Sequence, residues 1–268
     1  MGDKMEELNK EQREIQKEMR IDCEDVSEKI VAFLRNYFGK NKRKVAIVGF
    51  SGGVDSTVVA DLCANAMGPA NTIIVNLPYS DISSFEKLTM QQLGLPNISI
   101  DITEAVDVFV KQKPDQIGWG NIMARVRMIY LYDLARKRQG LVMDTCNKSE
   151  ILLGYFTRWG DGAGDLVPIG SLYKTQVYQL AKYLKVPERI IKRPPSAELW
   201  KGQTDENELG YPYDFLDVLL YLMYDRNVPT RRLINEYGYK EIDIKNIQEM
   251  VERNIFKSEL PPVCKLSY

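Results

Sequence analysis

Short apolar runs alternate with longer stretches of helical period along the first 150 residues. The runs fall at Val45–Phe50, Thr72–Leu77, Asn97–Ile102 and Leu141–Asp144, each rich in β-branched or aliphatic residues and short enough for a buried strand. Helical stretches separate them. Asp55 to Ala66 follows the first run, Ser84 to Leu93 the second, and Asn121 to Arg138 precedes the fourth, with Arg136, Lys137 and Arg138 favourably placed against the helix dipole and Gly140 as the stop. Thr103 is placed to cap a helix after the third run. Ahead of the first strand, one long helix is expected from about Met5 to Tyr37. Its second half carries the stripe Ile30, Phe33, Leu34, Tyr37, Phe38, the face of a packed helix, while its first half is charged nearly all round and reads as a projecting or frayed extension over about residues 1–20. Strand–helix alternation at this spacing predicts an α/β fold, a parallel sheet with helices on both faces. Ligands of such sheets bind beyond the carboxyl ends of the strands, where Ser51, Pro78 and Thr145 fall.

Two stretches lack a period: Tyr155–Ser171, with glycines at 160, 162 and 164, and Arg193–Tyr213. Long irregular segments in a compact domain are usually lids or binding loops. These hold Phe156, Trp159 and Trp200, more aromatic surface than a disordered segment carries, so ordering around a ligand is expected. An amphipathic helix with Val177, Leu180, Ala181 and Leu184 lies between them. An apolar helix over Asp214–Met223 and a charged C-terminal third follow. No internal repeat or second domain is evident.

The chemistry begins where the first strand ends, at Ser51-Gly52-Gly53-Val54-Asp55-Ser56. Glycines let the backbone approach an anion, and the following helix aims free N–H groups at the same point. Ser51 and Ser56 add hydroxyls. Asp55 is the odd member, since a carboxylate beside phosphate repels it unless Mg²⁺ lies between. A nucleotide bound as its magnesium complex is therefore implied. The lysine-bearing P-loop string G-x-x-x-x-G-K-[ST] is absent from the chain, which argues against ordinary γ-phosphoryl transfer.

Composition narrows the chemistry further. The 268 residues suffice for one large domain. With 36 basic against 37 acidic residues no overall field draws the chain to nucleic acid. There is no histidine, so an imidazole base or histidine-bound metal is excluded. Cys23, Cys63, Cys146 and Cys264 are far apart without a C-x-x-C pair, the pattern of reduced thiols, and Cys146 reads as a small buried hydrophobe rather than a nucleophile. With no apolar run of about 18 residues and a mixed-charge start containing six acids, neither a membrane span nor a signal peptide is expected, and the cytoplasm is the expected place of action.

The loop at 51–56 resembles that of the ATP pyrophosphatases, in which it grips the pyrophosphate that leaves as the α-phosphate is attacked. Beyond the loop, LPYS at 77–80, NIMARVRM at 121–128, TCNKSEILLGYFTRWGDGAGDLVP at 145–168 and PSAELWKGQTDENELGYPYD at 195–214 resemble the ammonia-dependent NAD synthetases nearly end to end. The resemblance implies a single Rossmann-like domain of the ATP-pyrophosphatase type and a ligase reaction. The carboxylate of deamido-NAD attacks the α-phosphorus of ATP, pyrophosphate leaves, and ammonia displaces AMP from the acyl-adenylate. It implies that Gly49, Phe50, Ser51, Gly52, Gly53, Val54, Asp55 and Ser56 cradle ATP with Thr145, Lys174 and Ser196, and that Asp55 and Glu150 hold Mg²⁺. On position alone Lys174 reads as a surface lysine in a first helical turn. Arg125, Arg158, Asp165, Phe256 and Lys257 are implied contacts of deamido-NAD, with Asp165 the candidate for orienting ammonium or taking its proton. Arg158 stands where the family often has lysine, and Phe256 where it often has histidine. A homodimer with a shared substrate site is implied, and the Asn121–Leu134 helix is compatible with its interface, although a core helix would look the same; nothing in the chain resembles a glutaminase domain, so free ammonia is the expected nitrogen source unless a separate subunit supplies it. The rivals are another ATP-pyrophosphatase ligase and a nucleotide-binding module without turnover, which would be expected to lack Asp55, Glu150 or Lys174.

Overall fold

Each of the four apolar runs forms a strand in the computed structural model, which describes residues 9–80, 82–110, 114–196, 199, 200 and 202–266. The strands are β1 (Val45–Gly49), β2 (Thr72–Asn76), β3 (Asn97–Ser99) and β4 (Gly140–Met143). They form one parallel sheet in the order β3-β2-β1-β4. Successive side chains of β1 point to opposite faces. Ala46 and Val48 pack with α2 (Cys23–Lys40), α3 (Val54–Met67) and α8 (Lys174–Tyr183), whereas Ile47 packs with α5 (Thr103–Val110) and α6 (Gln116–Arg138). Both faces are thus covered, as a parallel sheet requires.

The remaining helices are α1 (Lys10–Glu18), α4 (Ser84–Leu93), α7 (Lys148–Leu153), α9 (Glu188–Ile191), α10 (Asp205–Leu209), α11 (Tyr213–Leu220), α12 (Thr230–Asn235) and α13 (Glu241–Asn254). The last three enclose a separate apolar cluster around Phe215, Leu216, Leu219, Leu233 and Ile247. α11 runs on into a π turn at Tyr221–Asp225, whose Asp225 carboxylate accepts Lys148 Nζ at 2.6 Å and the Tyr173 hydroxyl at 3.0 Å. The C-terminal helices are thereby fastened to the strand-end side of the sheet. Among the described residues no helix is long and apolar enough to cross a membrane.

Four details differ from the sequence expectation. The long N-terminal helix is two helices, because the Asp22 carboxylate accepts the N–H groups of Glu24 and Asp25 and starts α2 afresh; the part expected over residues 5–8 lies outside the described residues. α1 does not project: Ile15 and Met19 are buried in the C-terminal cluster, and the Met19 carbonyl accepts Gln176 Nε2 at 2.9 Å. Phe33 and Tyr37 leave the packed stripe of α2 and remain exposed as a ring pair 6.2 Å apart. α6 ends at Gln139 in the left-handed region (φ 51°), and Gly140 instead opens β4, where a Cβ would lie 2.6 Å from the Val45 carbonyl oxygen. Replacing Gly140 by alanine is expected to destabilise the sheet edge by about 1–3 kcal/mol, read as a lower denaturant midpoint with an unchanged slope.

Candidate active site

β1 leads into the loop Phe50–Gly53 and then directly into α3. Gly52 sits at φ +77°, a backbone that side chains resist. Gly53 is the N-cap residue of α3 and has no side chain with which to cap it, so first-turn N–H groups face the strand-end cavity. The Gly53 N–H also points back to Ser51 Oγ at 3.3 Å, which lies 3.4 Å from Ser56 Oγ. Gly52→Ala is expected to cost about 1–2 kcal/mol in backbone strain because of its positive φ, and the new Cβ would sit 3.3 Å from the Arg193 guanidinium. The melting temperature should fall by about 2–4 °C per kcal/mol, and a titration with ATP should show weaker binding.

The cavity beyond the strand ends measures about 960 Å³. Gly49, Phe50, Ser51, Gly53, Val54, Asp55, Ser56, Thr145, Glu150, Lys174 and Ser196 all line it, and Gly52 completes the loop beside them. Lys174 is no surface lysine: it is 2 % exposed, because Tyr173, Val177 and Leu180 carry the first turns of α8 into the interior. Its Nζ lies 2.6 Å from Asp55 Oδ2 and 3.3 Å from Glu150 Oε1, and 5.2 Å from the Tyr213 ring centre. Asn147 braces both acids. Its Nδ2 donates to Asp55 Oδ1 at 3.1 Å, its N–H donates to Glu150 Oε2 at 3.0 Å, and its Oδ1 accepts the Glu150 N–H in return. Burial pushes the Glu150 carboxyl up, opposed by Lys174 and reinforced by Asp55. Lys174 is held charged well above the usual lysine range, its two carboxylate partners outweighing burial.

A third acid completes this end of the cavity. Asp205 Oδ2 accepts the Tyr213 hydroxyl at 3.1 Å, while its buried Oδ1 has no hydrogen-bond partner among the described residues. No group of three or more ligating side chains is arranged for a metal among the described residues. The donor set suits Mg²⁺ nevertheless, since that ion usually takes one or two carboxylates and completes its shell with phosphates and water.

The remaining expected site residues lie apart from this cavity. The Arg125 Nε donates to the Arg158 carbonyl at 3.3 Å, and the Arg158 guanidinium donates to the Glu259 carbonyl at 2.9 Å. The Arg158 guanidinium also sits 5.0 Å from the Trp159 ring and 5.3 Å from that of Phe256. Lys257 Nζ donates to the carbonyls of Gly154 and Phe156 at 2.8 and 3.2 Å, and burial lowers its pKa. Asp165 is elsewhere again, on the sheet edge. Its N–H donates to the Val142 carbonyl and its Oδ2 accepts the Val142 N–H, both at 2.8 Å. The loop here acts as a partial fifth strand, with Leu166 bridged in parallel to Met143. Gly164 permits that approach, since a Cβ there would run into the Asp144 backbone nitrogen.

Residue selection from the sequence missed several cavity-lining groups: Asp161, Asp205, Arg127, Asn76 and Glu86. Asp161 and Asp205 lie within the quoted GDG and TDE strings, so the strings carried the signal without ranking their acids. Asn147 was equally visible as the start of the capping box Asn-x-x-Glu.

A strand-end anion cradle with paired carboxylates around a buried lysine defines a nucleotide-handling α/β protein. The NAD synthase family profile matches residues 26–261, and the chain belongs to that family. Its relatives include an NH₃-dependent NAD⁺ synthetase of Pyrococcus horikoshii, 42% identical over 91% of this chain and 95% of the relative. One of Chlorobium phaeobacteroides is 39% identical over 93% and 92%. Among solved structures, the NH₃-dependent NAD synthetase of Campylobacter jejuni superposes with a TM-score of 0.78 at 30% identity, over 91% of this chain and all of that one. The NMN synthetase of Francisella tularensis gives 0.79 at 30% identity, over 92% and 100%.

Proposed function

We propose that the protein makes NAD⁺ from deamido-NAD, ATP and ammonia as the last step of NAD biosynthesis, forming a C–N bond and releasing AMP and pyrophosphate. The observation that carries this reading is the convergence of Asp55, Glu150 and Lys174 at the mouth of the SGGVDS loop. Loop N–H groups, the Ser51 and Ser56 hydroxyls and Lys174 hold the β- and γ-phosphates, and Thr145 and Ser196 bound the nucleotide. Asp55 and Glu150 would hold Mg²⁺, which when bound neutralises charge developing on the leaving pyrophosphate.

With ATP so held, a nicotinate carboxylate oxygen bonds to the α-phosphorus as the bond to the bridging oxygen of pyrophosphate breaks. The nitrogen of ammonia then bonds to the acyl carbon, AMP leaves with the C–O electron pair, and one proton goes to a base. Activation is needed because a free carboxylate offers an amine no adequate leaving group. With no histidine in the chain, that base is a carboxylate. Asp165 is the sequence candidate; each of the two loop acids accepts one backbone N–H at 2.8 Å, Asp165 from Val142 and Asp161 from Thr157, but only Asp161 lines the cavity and is the better placed of the two.

Arg125, Arg158, Phe256 and Lys257 form the proposed deamido-NAD contact on the outer side of the Tyr155–Ser171 loop. Arg125 and half of the Phe256 surface are exposed there, as suits a site finished by a second subunit. Ile129 and Tyr132 on the outer face of α6 are exposed at 65% and 39%, an apolar stripe for a homodimer in the cytoplasm. Sedimentation should give twice the chain mass, and Ile129→Asp should halve it; a wild-type monomer would remove the shared site.

The deciding assay mixes enzyme, ATP, Mg²⁺, ammonium and deamido-NAD. Equimolar NAD⁺, AMP and pyrophosphate are expected. ADP and phosphate would refute adenylation, and faster amidation of nicotinate mononucleotide than of deamido-NAD would refute the dinucleotide as substrate.

A further inference from the structure

Asp217 is 0 % exposed, in the middle of a helix whose neighbours Phe215, Leu216, Val218, Leu219 and Leu220 are all buried apolar residues. A carboxylate there is costly unless its oxygens are matched. They are matched, and by groups that belong to the catalytic elements. Asp217 Oδ1 accepts the Ser149 hydroxyl at 2.6 Å, and Oδ2 accepts the Thr175 N–H at 2.8 Å. Ser149 Oγ in turn accepts the Lys174 N–H at 3.0 Å. Burial pushes the Asp217 carboxyl up to about 6, with these hydrogen bonds opposing the rise.

The two N–H groups concerned are the first two of α8, which no intrahelical carbonyl can satisfy. A helix usually meets that need with its own N-cap side chain. Here Ser149 and Asp217, from α7 and α11, meet it from outside. Ser149 and Thr175 also stand directly beside Glu150 and Lys174 in the chain. The carboxylate therefore ties the start of α8 to the start of α7 at the two places that carry the cavity's lysine and its second acid.

We infer that Asp217 is a positioning residue: from the far side of the wall it fixes the separation of Lys174 and Glu150, and so the grip on the ATP phosphates. This rests on the proposed function for its catalytic readout, but not for its nucleotide-binding readout. A carboxylate that touches only the backbone and hydroxyl beside the catalytic groups acts through geometry, and displacement of a catalytic group by about 1 Å can cost about 10²-fold in rate.

The test compares Asp217→Asn with Leu219→Ala, a core substitution on the same helix, at temperatures adjusted so that both variants are equally folded. Calorimetry with Mg·ATP alone should show Asp217→Asn binding about tenfold more weakly than wild type, and pyrophosphate release should fall by about 10–100-fold. Leu219→Ala should lose melting temperature while keeping both values within about twofold. Restoring the carboxylate as Asp217→Glu should recover part of the ATP affinity if the charge and its two contacts matter. Equal ATP affinity and equal turnover in Asp217→Asn and Leu219→Ala would reduce Asp217 to a stabilising residue and overturn the inference. If Asp217→Asn yields no folded protein, Ser149→Ala carries the same comparison, since it cuts the link to Lys174 while leaving the Thr175 contact in place. A wild-type enzyme that binds Mg·ATP but releases no pyrophosphate would overturn the proposed function and leave the affinity comparison standing.

Discussion

Asp55→Asn is expected to lower pyrophosphate release by about 10³-fold, the scale of losing one directed electrostatic contact in a protected site. Asp55 is the acid that faces both Lys174 Nζ and Asn147 Nδ2, at 2.6 and 3.1 Å. An asparagine keeps the volume but loses the charge, and one orientation of its amide would set an N–H group against the lysine. The proposed metal would lose one of its two carboxylates. Steady-state pyrophosphate release at saturating ATP, deamido-NAD and Mg²⁺ measures the effect. Turnover within tenfold of wild type would take Asp55 out of the phosphate site.

Lys174→Ala is expected to abolish measurable turnover and also to destabilise the protein. Removing one partner of a buried charge group typically costs about 3–5 kcal/mol, and the lower end applies because Asp55 and Glu150 keep side-chain exposures of 16% and 14%. Without the ammonium the two carboxylates face each other, so the raised Glu150 carboxyl has a stronger reason to hold a proton. A carboxyl whose pKa is higher folded than unfolded binds more protons in the folded state between the two values. Stability of the variant should therefore rise as pH falls from neutrality toward the ordinary carboxylate range, and chemical denaturation at pH 7.5 and 5.5 would measure this. A variant as stable as wild type at pH 7.5 would mean that the acids are not neutralised by Lys174.

The sheet was legible in the sequence because its strands are buried on both faces and so appear as uninterrupted apolar runs. The phosphate loop was legible because its glycines and hydroxyls are contiguous. Features made by tertiary contact were hidden. Lys174 looked like a surface residue because the acids that hold it lie 119 and 24 positions away. The kink between α1 and α2 was missed because charged residues with good helix propensity run across it, while Asp22 and contacts to α8 decide the break. Phe33 and Tyr37 fit the helical stripe in spacing, but α2 turns Ile30, Leu34 and Phe38 into the core with Cys23, Val26 and Val31 packed alongside, and Phe33 and Tyr37 fall outside that layer. The acid facing the cavity could not be told from its neighbour: Asp161 and Asp165 share one glycine-rich loop, and only the pairing of Leu166 with Met143 sends Asp165 to the sheet edge.

The lysine held between two acids has a thermodynamic consequence for how the substrate arrives. The Lys174 ammonium satisfies both carboxylates, so a bare divalent ion must compete with a tethered cation and a bare nucleotide must approach two negative groups. Brought together, each relieves the difficulty of the other. Affinities for ATP and Mg²⁺ should then be reciprocally linked, each rising with the concentration of the other by the same factor.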